Sequence, residues 1–386
     1  MAVNPDLLNQ AQRFADWLQH QALPLWVKHG QLNDGGSVER LTVQATPNLQ
    51  DNRRVRVHAR QIYAYSAAVE MGWLDRATGE KLVEGLHDYL NTHGRNPDTP
   101  VGYAHVLTGE NQLVDGKLDL YDCAFHIFAA TYRYKVFAQQ DALQQADGIL
   151  NYLDSQLKGP GLGWLEGNYI ADVRRQNPHM HLFETFLALY EATNQARYLD
   201  YARQMFALFE QVFFDKQHGV LLEFFDHHWT PAPDGKGQLI EPGHMFEWVW
   251  LLRRYQRHTG TETGHYCEQL IEHGLHYGLD AQSGLIFDEV SLSGEITKPT
   301  KRNWPVIEMI KAYLAQAEFG VAGAEQHAAE AIALLFRYFI EPANQGLFFD
   351  QLDSHNRVAN DSAPASILYH LMLAAVEATL YCNNAN

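Results

Sequence analysis

The stretch EPGHMFEWVWLLRRY, residues 241–255, decides how the rest of the sequence is interpreted. Its Met, Phe, Trp, Val and Leu residues predict a helix that is buried on several faces. His244 and Glu247 nevertheless lie in the first turn, and a spacing of three residues places them on one face. A buried helix that begins with a histidine and a carboxylate raises the question of what those two side chains face.

Other segments share this helical pattern, with apolar residues at i, i+3, i+4 and i+7. They are residues 59–73, 120–136, 180–193, 304–320 and 366–381. One polar or aromatic residue near the start of each buried helix recurs at intervals of 61, 60, 63, 60 and 66 residues: Arg60, Tyr121, His181, His244, Trp304 and His370. Helices with one polar face, such as 196–213 and 264–279, lie between them. The spacing predicts six units, each a buried helix followed by an amphipathic helix.

The segments before the buried helices also share a plan. Residues 218–244, 283–305 and 345–370 each contain a glycine, a short apolar run, a polar turn and a second polar stretch. This pattern predicts β-hairpins, and the remaining connections look short, so the long loops collect at one end. We therefore predict an all-α (α/α)6 barrel with short hairpins at one end, as a single domain over residues 1–386. An open α-solenoid is the alternative.

The composition excludes several classes of protein. The chain is 46% hydrophobic, enough for a large core, and has a net charge of −17, which argues against nucleic acid or an anionic membrane as partner. Cys123, Cys267 and Cys382 lie far apart without CxxC spacing, which argues against a disulfide framework or a zinc cage. We find no apolar run of about 18 residues and no signal peptide, so we expect a cytoplasmic location.

In such a barrel, the residues that recur at the starts of the buried helices face one funnel. Histidine has the side chain whose ordinary pKa is nearest physiological pH, so several histidines with an arginine and carboxylates suit proton transfer on a neutral polyol. The rings of Tyr121 and Trp304 can pack against a sugar. Helix N-termini favour developing negative charge, such as that of an enediolate.

Each of these residues also has a structural interpretation. Most of the 20 histidines are expected to be structural. Arg60 could form a buried ion pair, Trp304 could belong to the core, and Glu184 and Glu247 could hold helix ends or orient neighbouring histidines. The HxxE pairs could bind a metal, but no HExxH, DxD or Cys/His cluster accompanies them, and no nucleotide-binding motif is present. We therefore expect no metal and no cofactor.

The sequence resembles the N-acylglucosamine 2-epimerase superfamily of sugar epimerases and aldose–ketose isomerases over essentially its whole length. The resemblance rests on a set of motifs: HARQIY (58–63), LYDCAF (120–125), NPHMHLFETFLALYEAT (177–193), EPGHMFEW (241–248), RNWPVIEM (302–309) and ILYH (367–370). It implies an (α/α)6 barrel and cofactor-free proton transfer at the carbon beside a sugar carbonyl.

The resemblance also implies roles for individual residues. The catalytic histidines of the family fall on His370 and His244. The substrate-contacting positions fall on Arg60, Tyr121, Asn177, Met180, His181, Glu247 and Trp304. Glu184 and Glu308 are assigned supporting roles. We expect His370 to act as the base, and His244 to assist ring opening while Glu247 holds its imidazole.

The chain departs from the family pattern at three places. Arg56 stands where the family often has an aromatic residue, and Ser366 stands where sulfosugar isomerases have glutamine; both differences argue against an acidic sugar. The sequence Asn303-Trp304-Pro305 replaces the Trp-Trp-Pro of disaccharide 2-epimerases, which favours a monosaccharide.

Three functions follow from this resemblance. The first is an isomerase that interconverts D-mannose and D-fructose through a cis-enediolate. The second is a 2-epimerase acting on mannose and glucose or on N-acylated amino sugars. The third is a glycoside hydrolase, which needs two carboxylates across the scissile bond and fits a histidine-rich funnel poorly. The expected partner is a small monosaccharide, and a homodimer remains open as the assembly.

Overall fold

The helices of the computed structural model, which describes residues 3–360 and 362–384, account for most of the chain. In chain order the α-helices are α1 (Pro5–Trp17), α2 (Leu23–His29), α3 (Arg56–Glu70), α4 (Arg76–Thr92), α5 (Leu120–Phe137), α6 (Gln140–Gln156), α7 (Gln176–Thr193), α8 (Ala196–Leu208), α9 (Pro242–Thr259), α10 (Gly264–Gly278), α11 (Asn303–Glu318), α12 (Ala324–Leu335) and α13 (Leu368–Asn384). Segments of π-helix cover Leu18–Ala22, Phe209–Phe213 and Phe336–Ile340, and 3-10 turns cover Lys236–Gln238 and Ala365–Ile367.

The buried helices form a closed inner ring. Around the ring, α3 packs beside α5, α5 beside α7, α7 beside α9, α9 beside α11, α11 beside α13, and α13 again beside α3. Each inner helix carries an outer helix, and the outer layer consists of α4, α6, α8, α10, α12 and α1. The prediction of an all-α (α/α)6 barrel is confirmed.

The last unit differs from the predicted order. No amphipathic helix follows α13 within the described residues. Instead α1, from the other end of the chain, packs against both α12 and α13. The expectation that each buried helix is followed by its own outer helix is therefore wrong for this unit, because the two ends of the chain meet to close the ring.

Short antiparallel strands occupy the loops at the N-terminal ends of the inner helices. They are β1 (Arg40–Thr42), β2 (Arg53–Arg54), β3 (Val106–Leu107), β4 (Leu113–Asp115), β5 (Arg174–Arg175), β6 (Phe214–Asp215), β7 (Val220–Leu221), β8 (Phe224–Phe225), β9 (Leu239–Ile240), β10 (Glu289–Ser291), β11 (Ile296–Lys298), β12 (Lys301–Arg302), β13 (Gln351–Leu352) and β14 (Ser362–Pro364). Strands occur in all three predicted loops. Strands β10 and β11 form the hairpin of one loop, and single antiparallel bridges, Phe225 to Pro231 and Leu352 to Val358, close the turns of the other two.

Strands β3 and β4, and β6 and β7, also pair within one loop, and the remaining pairings join neighbouring loops. Strand β5 pairs with β8, β9 with β10, β12 with β13, and β1 with β14, where Leu41 lies opposite Ala363. The predicted hairpins at 218–244 and 345–370 are present as turns closed by single bridges, and the longer pairings of β8, β9, β13 and β14 join these loops to their neighbours. Ladder hydrogen bonds between loops fix each loop relative to the next, so the strands form a rim around the funnel.

Among the described residues, one helix is long and apolar enough to cross a membrane by length and composition alone, Ala365–Asn384. The sequence was expected to contain no apolar segment long enough to span a membrane, and this expectation is wrong as far as length and composition are concerned. Within its most apolar window, 72% of the residues are buried in the protein, because α13 packs between α3, α11 and α1. An inner helix of a barrel is surrounded by other helices, which explains its apolar character.

The first turn of α9 shows why residues 242–244 are proline, glycine and histidine. Pro242 is the first residue of the helix, where its missing N–H costs nothing. A Cβ at position 243 would lie 2.5 Å from the ring of Trp304, so this position requires glycine. The absence of a side chain at this position lets Trp304 on α11 lie beside His244, with ring centroids 4.9 Å apart.

Candidate active site

A cavity of about 460 Å³ lies at the N-terminal ends of the inner helices. Eight of the residues predicted to touch substrate or to catalyse line it: Arg60, Tyr121, Asn177, His181, His244, Glu247, Trp304 and His370. They come from all six inner helices, because each lies in or near the first turn of its helix. The histidine and carboxylate of the opening stretch therefore face this cavity.

The other predicted residues lie elsewhere. Met180 is fully buried and does not line the cavity, because it precedes His181 on α7 and so projects from another side of the helix. Glu184 and Glu308 are fully buried behind the lining. Their contacts with His181 and His370 fit the supporting positions expected for them.

His370 is positioned to remain a neutral base. Its Nδ1 lies 2.9 Å from Glu308 Oε1, so Nδ1–H donates to the carboxylate and Nε2 keeps a free lone pair. Lys311 Nζ lies 2.7 Å from the second oxygen of Glu308. Burial, together with the charges of Arg60 and Lys311, holds the pKa of His370 well below its ordinary value.

His244 has the opposite electrostatic setting. Its Nδ1 lies 3.0 Å from both oxygens of Glu223, and Glu241 Oε2 is 3.9 Å away. Burial alone disfavours the imidazolium, yet the carboxylates of Glu223 and Glu241 raise the pKa of His244 to about 9. A protonated His244 can donate a proton from Nε2, so one cavity holds a neutral and a protonated histidine.

Gln176 fixes the orientation of this pair. Its side-chain oxygen accepts a hydrogen bond of 2.8 Å from the indole N–H of Trp248, which can only donate. Its nitrogen must therefore face the carboxylate, and it donates to Glu223 Oε2 at 2.8 Å. On the other side of the ring, the Asn177 amide lies 3.1 Å from His244 Nε2, and its oxygen must face that atom to accept from a protonated imidazole.

Glu223 corrects one prediction and was missed by the sequence analysis. Glu247 was expected to hold the imidazole of His244, but Glu223 does so. Glu247 Oε1 instead lies 3.9 Å from His181 Nδ1 and has no hydrogen-bond partner. The signal that could have identified Glu223 is its place in the run VLLEFF (220–225), where a buried carboxylate interrupts apolar residues.

Arg60 is a buried cation without an acidic partner. It donates to the backbone oxygen of Ser366 at 3.1 Å and to the hydroxyl of Tyr121. Its guanidinium packs on the ring of Phe125, 4.1 Å from the centroid, and its Nε has no partner. Among the described residues no carboxylate lies within ion-pair distance of Arg60, so its charge is available to an anionic oxygen in the cavity.

Two buried carboxyl oxygens in the lining also have no partner among the described residues. They are Glu247 Oε1 and Asp350 Oδ1. Burial and the nearby charge of Glu308 raise the pKa of Glu247 well above its ordinary value. Burial also raises the pKa of Asp350. Buried polar atoms require partners, and the hydroxyl groups of a sugar supply donors and acceptors at this spacing.

Three groups of side chains have the geometry to bind a metal ion. They are His181 with Glu184 and Glu247, Glu223 with Glu241 and His244, and Glu247 with Glu308 and His370. A metal needs unprotonated ligands, whereas the pKa of His244 is raised to about 9 and Lys311 already neutralises Glu308. These donors fit an acid–base network better than a metal site, and the absence of a metal stays a prediction.

The sequence analysis also missed most of the arginines of the lining. Arg54, Arg56, Arg175 and Arg302 line the cavity together with Arg60. Arg54, Arg175 and Arg302 follow a second basic residue, in the pairs 53–54, 174–175 and 301–302, and these pairs were a visible signal. The cavity of this acidic protein is therefore rich in guanidinium groups.

Comparisons with known proteins agree with this geometry. The sequence profile of the N-acylglucosamine 2-epimerase family matches residues 35–374. A mannose-6-phosphate isomerase of Rhizobium meliloti (strain 1021) is 33% identical, over 96% of this chain and 97% of the relative. A cellobiose 2-epimerase of Bacteroides fragilis is 24% identical, over 86% and 88% of the two chains.

A solved structure shares the fold. The crystal structure of a D-mannose isomerase superposes with a TM-score of 0.84 at 18% identity, covering 96% of this chain and 98% of the other. Because the family profile spans most of the chain and the first relative covers nearly all of it, the chain belongs to the N-acylglucosamine 2-epimerase family of sugar epimerases and isomerases.

Proposed function

We propose that this protein interconverts D-mannose and D-fructose by proton transfer through a cis-enediolate. The observation that carries the proposal is a pair of histidines with different partners in one cavity. His370 Nδ1 lies 2.9 Å from Glu308, which also binds Lys311, whereas His244 Nδ1 lies 3.0 Å from both oxygens of Glu223. This arrangement supports a neutral His370 and a protonated His244, and the guanidinium of Arg60 has no acidic partner among the described residues. A base, an acid and a fixed cation are the groups that an enediolate mechanism requires.

These positions support the following steps. His244 donates its proton to the ring oxygen as the C1–O5 bond breaks, and the neutral imidazole then takes the proton of the C1 hydroxyl. His370 Nε2 takes the C2 proton, and the electron pair moves into the C1–C2 double bond while the carbonyl oxygen becomes negative. Arg60 stabilises that oxygen. In the enediolate, His244 donates that proton to O1 and takes the proton of the O2 hydroxyl, so that the carbonyl moves from C1 to C2. Return of the same proton to C1 forms the ketose, so no proton is lost overall.

The 2-epimerase is the alternative function. The same two histidines serve an epimerase if the protonated imidazole delivers its proton to the opposite face of C2 instead of an oxygen. One of the two relatives is named an isomerase and the other an epimerase. The isomerase is the more similar of the two, at 33% identity against 24%. This difference supports the isomerase.

The hydrolase alternative has less support. It requires one protonated and one ionised carboxylate on either side of a glycosidic bond. Asp119 in the lining already accepts from the hydroxyl of Tyr169 at 2.6 Å and from Arg175 at 3.2 Å. The proposed acid and base are His244 and His370, whose Nδ1 atoms are held by Glu223 and Glu308, and this pairing supports proton transfer at carbon.

Incubation of the protein with D-mannose in D2O, followed by NMR, tests the proposal. The expected product is fructose, with deuterium introduced at C1 to the extent that the proton on His370 exchanges with solvent. Glucose in place of fructose would show an epimerase and contradict the proposed isomerase. No product and no loss of the C2 proton signal from mannose would contradict both.

A further inference from the structure

Three arginines on the rim of the cavity have the same setting. Arg54, Arg175 and Arg302 lie at the starts of alternate inner helices, α3, α7 and α11. For each arginine, the backbone N–H and Nε both bind the side chain of one buried acid from the preceding loop. These acids are Glu39 for Arg54, Glu166 for Arg175 and Asp288 for Arg302. The repeat places three guanidinium groups at equivalent points of the rim.

The three positions differ in the acid that the neighbouring helix supplies. Arg175 Nη2 lies 3.2 Å from Asp119, which caps α5, and Arg302 Nη2 lies 3.8 Å from Glu241, which caps α9. For Arg54 the neighbour is α13, and the residue before its first turn is Pro364. Arg54 Nη2 instead reaches Ser366 Oγ at 3.5 Å.

The charge of the rim is therefore uneven. On the α3 side, Arg54, Arg56 and Arg60 face two ion-paired acids, Glu39 and Asp122. At each of the other two positions, one arginine faces two acids. Asp350 also lines the cavity and interacts electrostatically with Arg54 and Arg302. The α3 side has the highest ratio of arginines to ion-paired acids at the cavity mouth.

The position of these arginines matches the length of a hexose. Arg56 lies one helical turn from Arg60 toward the mouth, about 5–6 Å along α3. A sugar that holds C1 and C2 beside Arg60 and His370 extends roughly 7 Å through six bonds to a phosphorus atom on O6. The far end of the sugar thus reaches the level of Arg54 and Arg56.

We infer that Arg54 and Arg56, with the hydroxyl of Ser366, form a subsite for a phosphate monoester at the end of the sugar distant from the reacting carbons. Guanidinium groups bind phosphate through paired charge-assisted hydrogen bonds. The inference rests on the proposed function, because that function places C1 and C2 at the histidines. It extends the substrate class from free mannose to mannose 6-phosphate and revises the expectation of a neutral sugar.

Binding of unreactive open-chain analogues tests the subsite without requiring turnover. Isothermal titration calorimetry compares D-mannitol 1-phosphate with D-mannitol, which share the chain and differ in the phosphate. The wild-type protein should bind the phosphate ester about 10- to 100-fold more tightly. Equal affinity for the two compounds would overturn the inference.

Two arginine variants test the subsite further, one at the proposed subsite and one as a matched control at an equivalent point of the rim. Arg54→Gln should reduce the preference for the phosphate ester about tenfold or more, whereas Arg175→Gln, which breaks the equivalent clamp beside Asp119, should retain it. An equal loss of preference in both variants would overturn the inference, because it would reflect disturbed loops. Thermal unfolding should give comparable midpoints for the two variants.

The reaction itself is measured separately. Loss of the C2 proton signal in D2O is followed for mannose and for mannose 6-phosphate with the wild-type protein. If neither sugar exchanges while the phosphate ester still binds preferentially through Arg54, the proposed function fails and the subsite stands. If mannose exchanges but the phosphate ester shows no preference, the subsite fails and the proposed function stands.

Discussion

Replacement of Glu223 by glutamine tests whether a carboxylate keeps His244 protonated. Both oxygens of Glu223 lie 3.0 Å from His244 Nδ1, and Glu223 itself is buried. Glutamine has nearly the same size and keeps one acceptor for Nδ1–H, but it removes the negative charge. Because burial opposes the imidazolium, the pKa of His244 should fall from about 9 to its ordinary value of 6.5 or below.

The size of the effect follows from the two pKa values. At about pH 8, roughly nine-tenths of the wild-type protein and about 3% of the variant would carry a protonated His244. At about pH 5.5 both are mainly protonated. The ratio of variant to wild-type kcat/KM should therefore be about 30-fold lower at about pH 8 than at about pH 5.5. A loss of activity that is the same at both pH values does not change this factor.

The assay is the dependence of kcat/KM on pH with mannose as substrate. The basic limb should lie near pH 9 for the wild type and at or below about pH 6.5 for Glu223→Gln. Glu241→Gln is the comparison variant, because its carboxylate lies 3.9 Å from Nδ1, beyond hydrogen-bond distance, and should shift the limb less. A basic limb that stays near pH 9 in Glu223→Gln, with uniformly lower activity, would refute the reasoning.

Three further predictions concern Arg60, metal ions and acid stability. Arg60→Lys keeps the charge but loses the planar guanidinium, so kcat should fall more than KM rises; a change in KM alone would contradict its role at the negative oxygen. Exhaustive chelation should leave full activity, and a loss that divalent metal restores would show a metal enzyme. Burial lowers the pKa of His126 to about 3, so the unfolded chain binds a proton below about pH 6.5 that the folded protein rejects. Stability therefore falls as the pH drops, and His126→Gln should lose about 2 to 3 kcal/mol less than wild type between pH 7 and about pH 4.5 in urea unfolding. Equal losses in the two proteins would contradict this.

The inner ring could be predicted from the sequence because burial leaves a local pattern. An inner helix such as α11 is buried over nearly its full length, so apolar and small residues occupy all of its faces. The recurrence of such helices at about 60 residues then indicates the barrel. The closure of the ring by α1 could not be read in this way, because it depends on contact between the two ends of the chain.

The site was predictable where its residues lie in the first turns of helices and was missed where they lie in loops. His244 and His370 stand out as polar residues at the starts of buried helices. Glu223 lies between β7 and β8, and its contact with His244 spans 21 residues, so no periodicity links the two. Neighbouring loops pair through two- and three-residue strands, whose partners no local pattern specifies.

Exchange of the C2 proton of mannose with D2O in a His370→Ala variant tests the central claim most directly. His370 is the neutral histidine whose free Nε2 faces the cavity, and general bases typically contribute about 10² to 10⁴-fold to a rate. The variant should remain folded and lose exchange by at least about 100-fold. The His244→Ala variant retains slow exchange, because a sugar that is already open can still meet the base. Exchange at the wild-type rate in His370→Ala would contradict the account and would assign the base to another residue of the cavity.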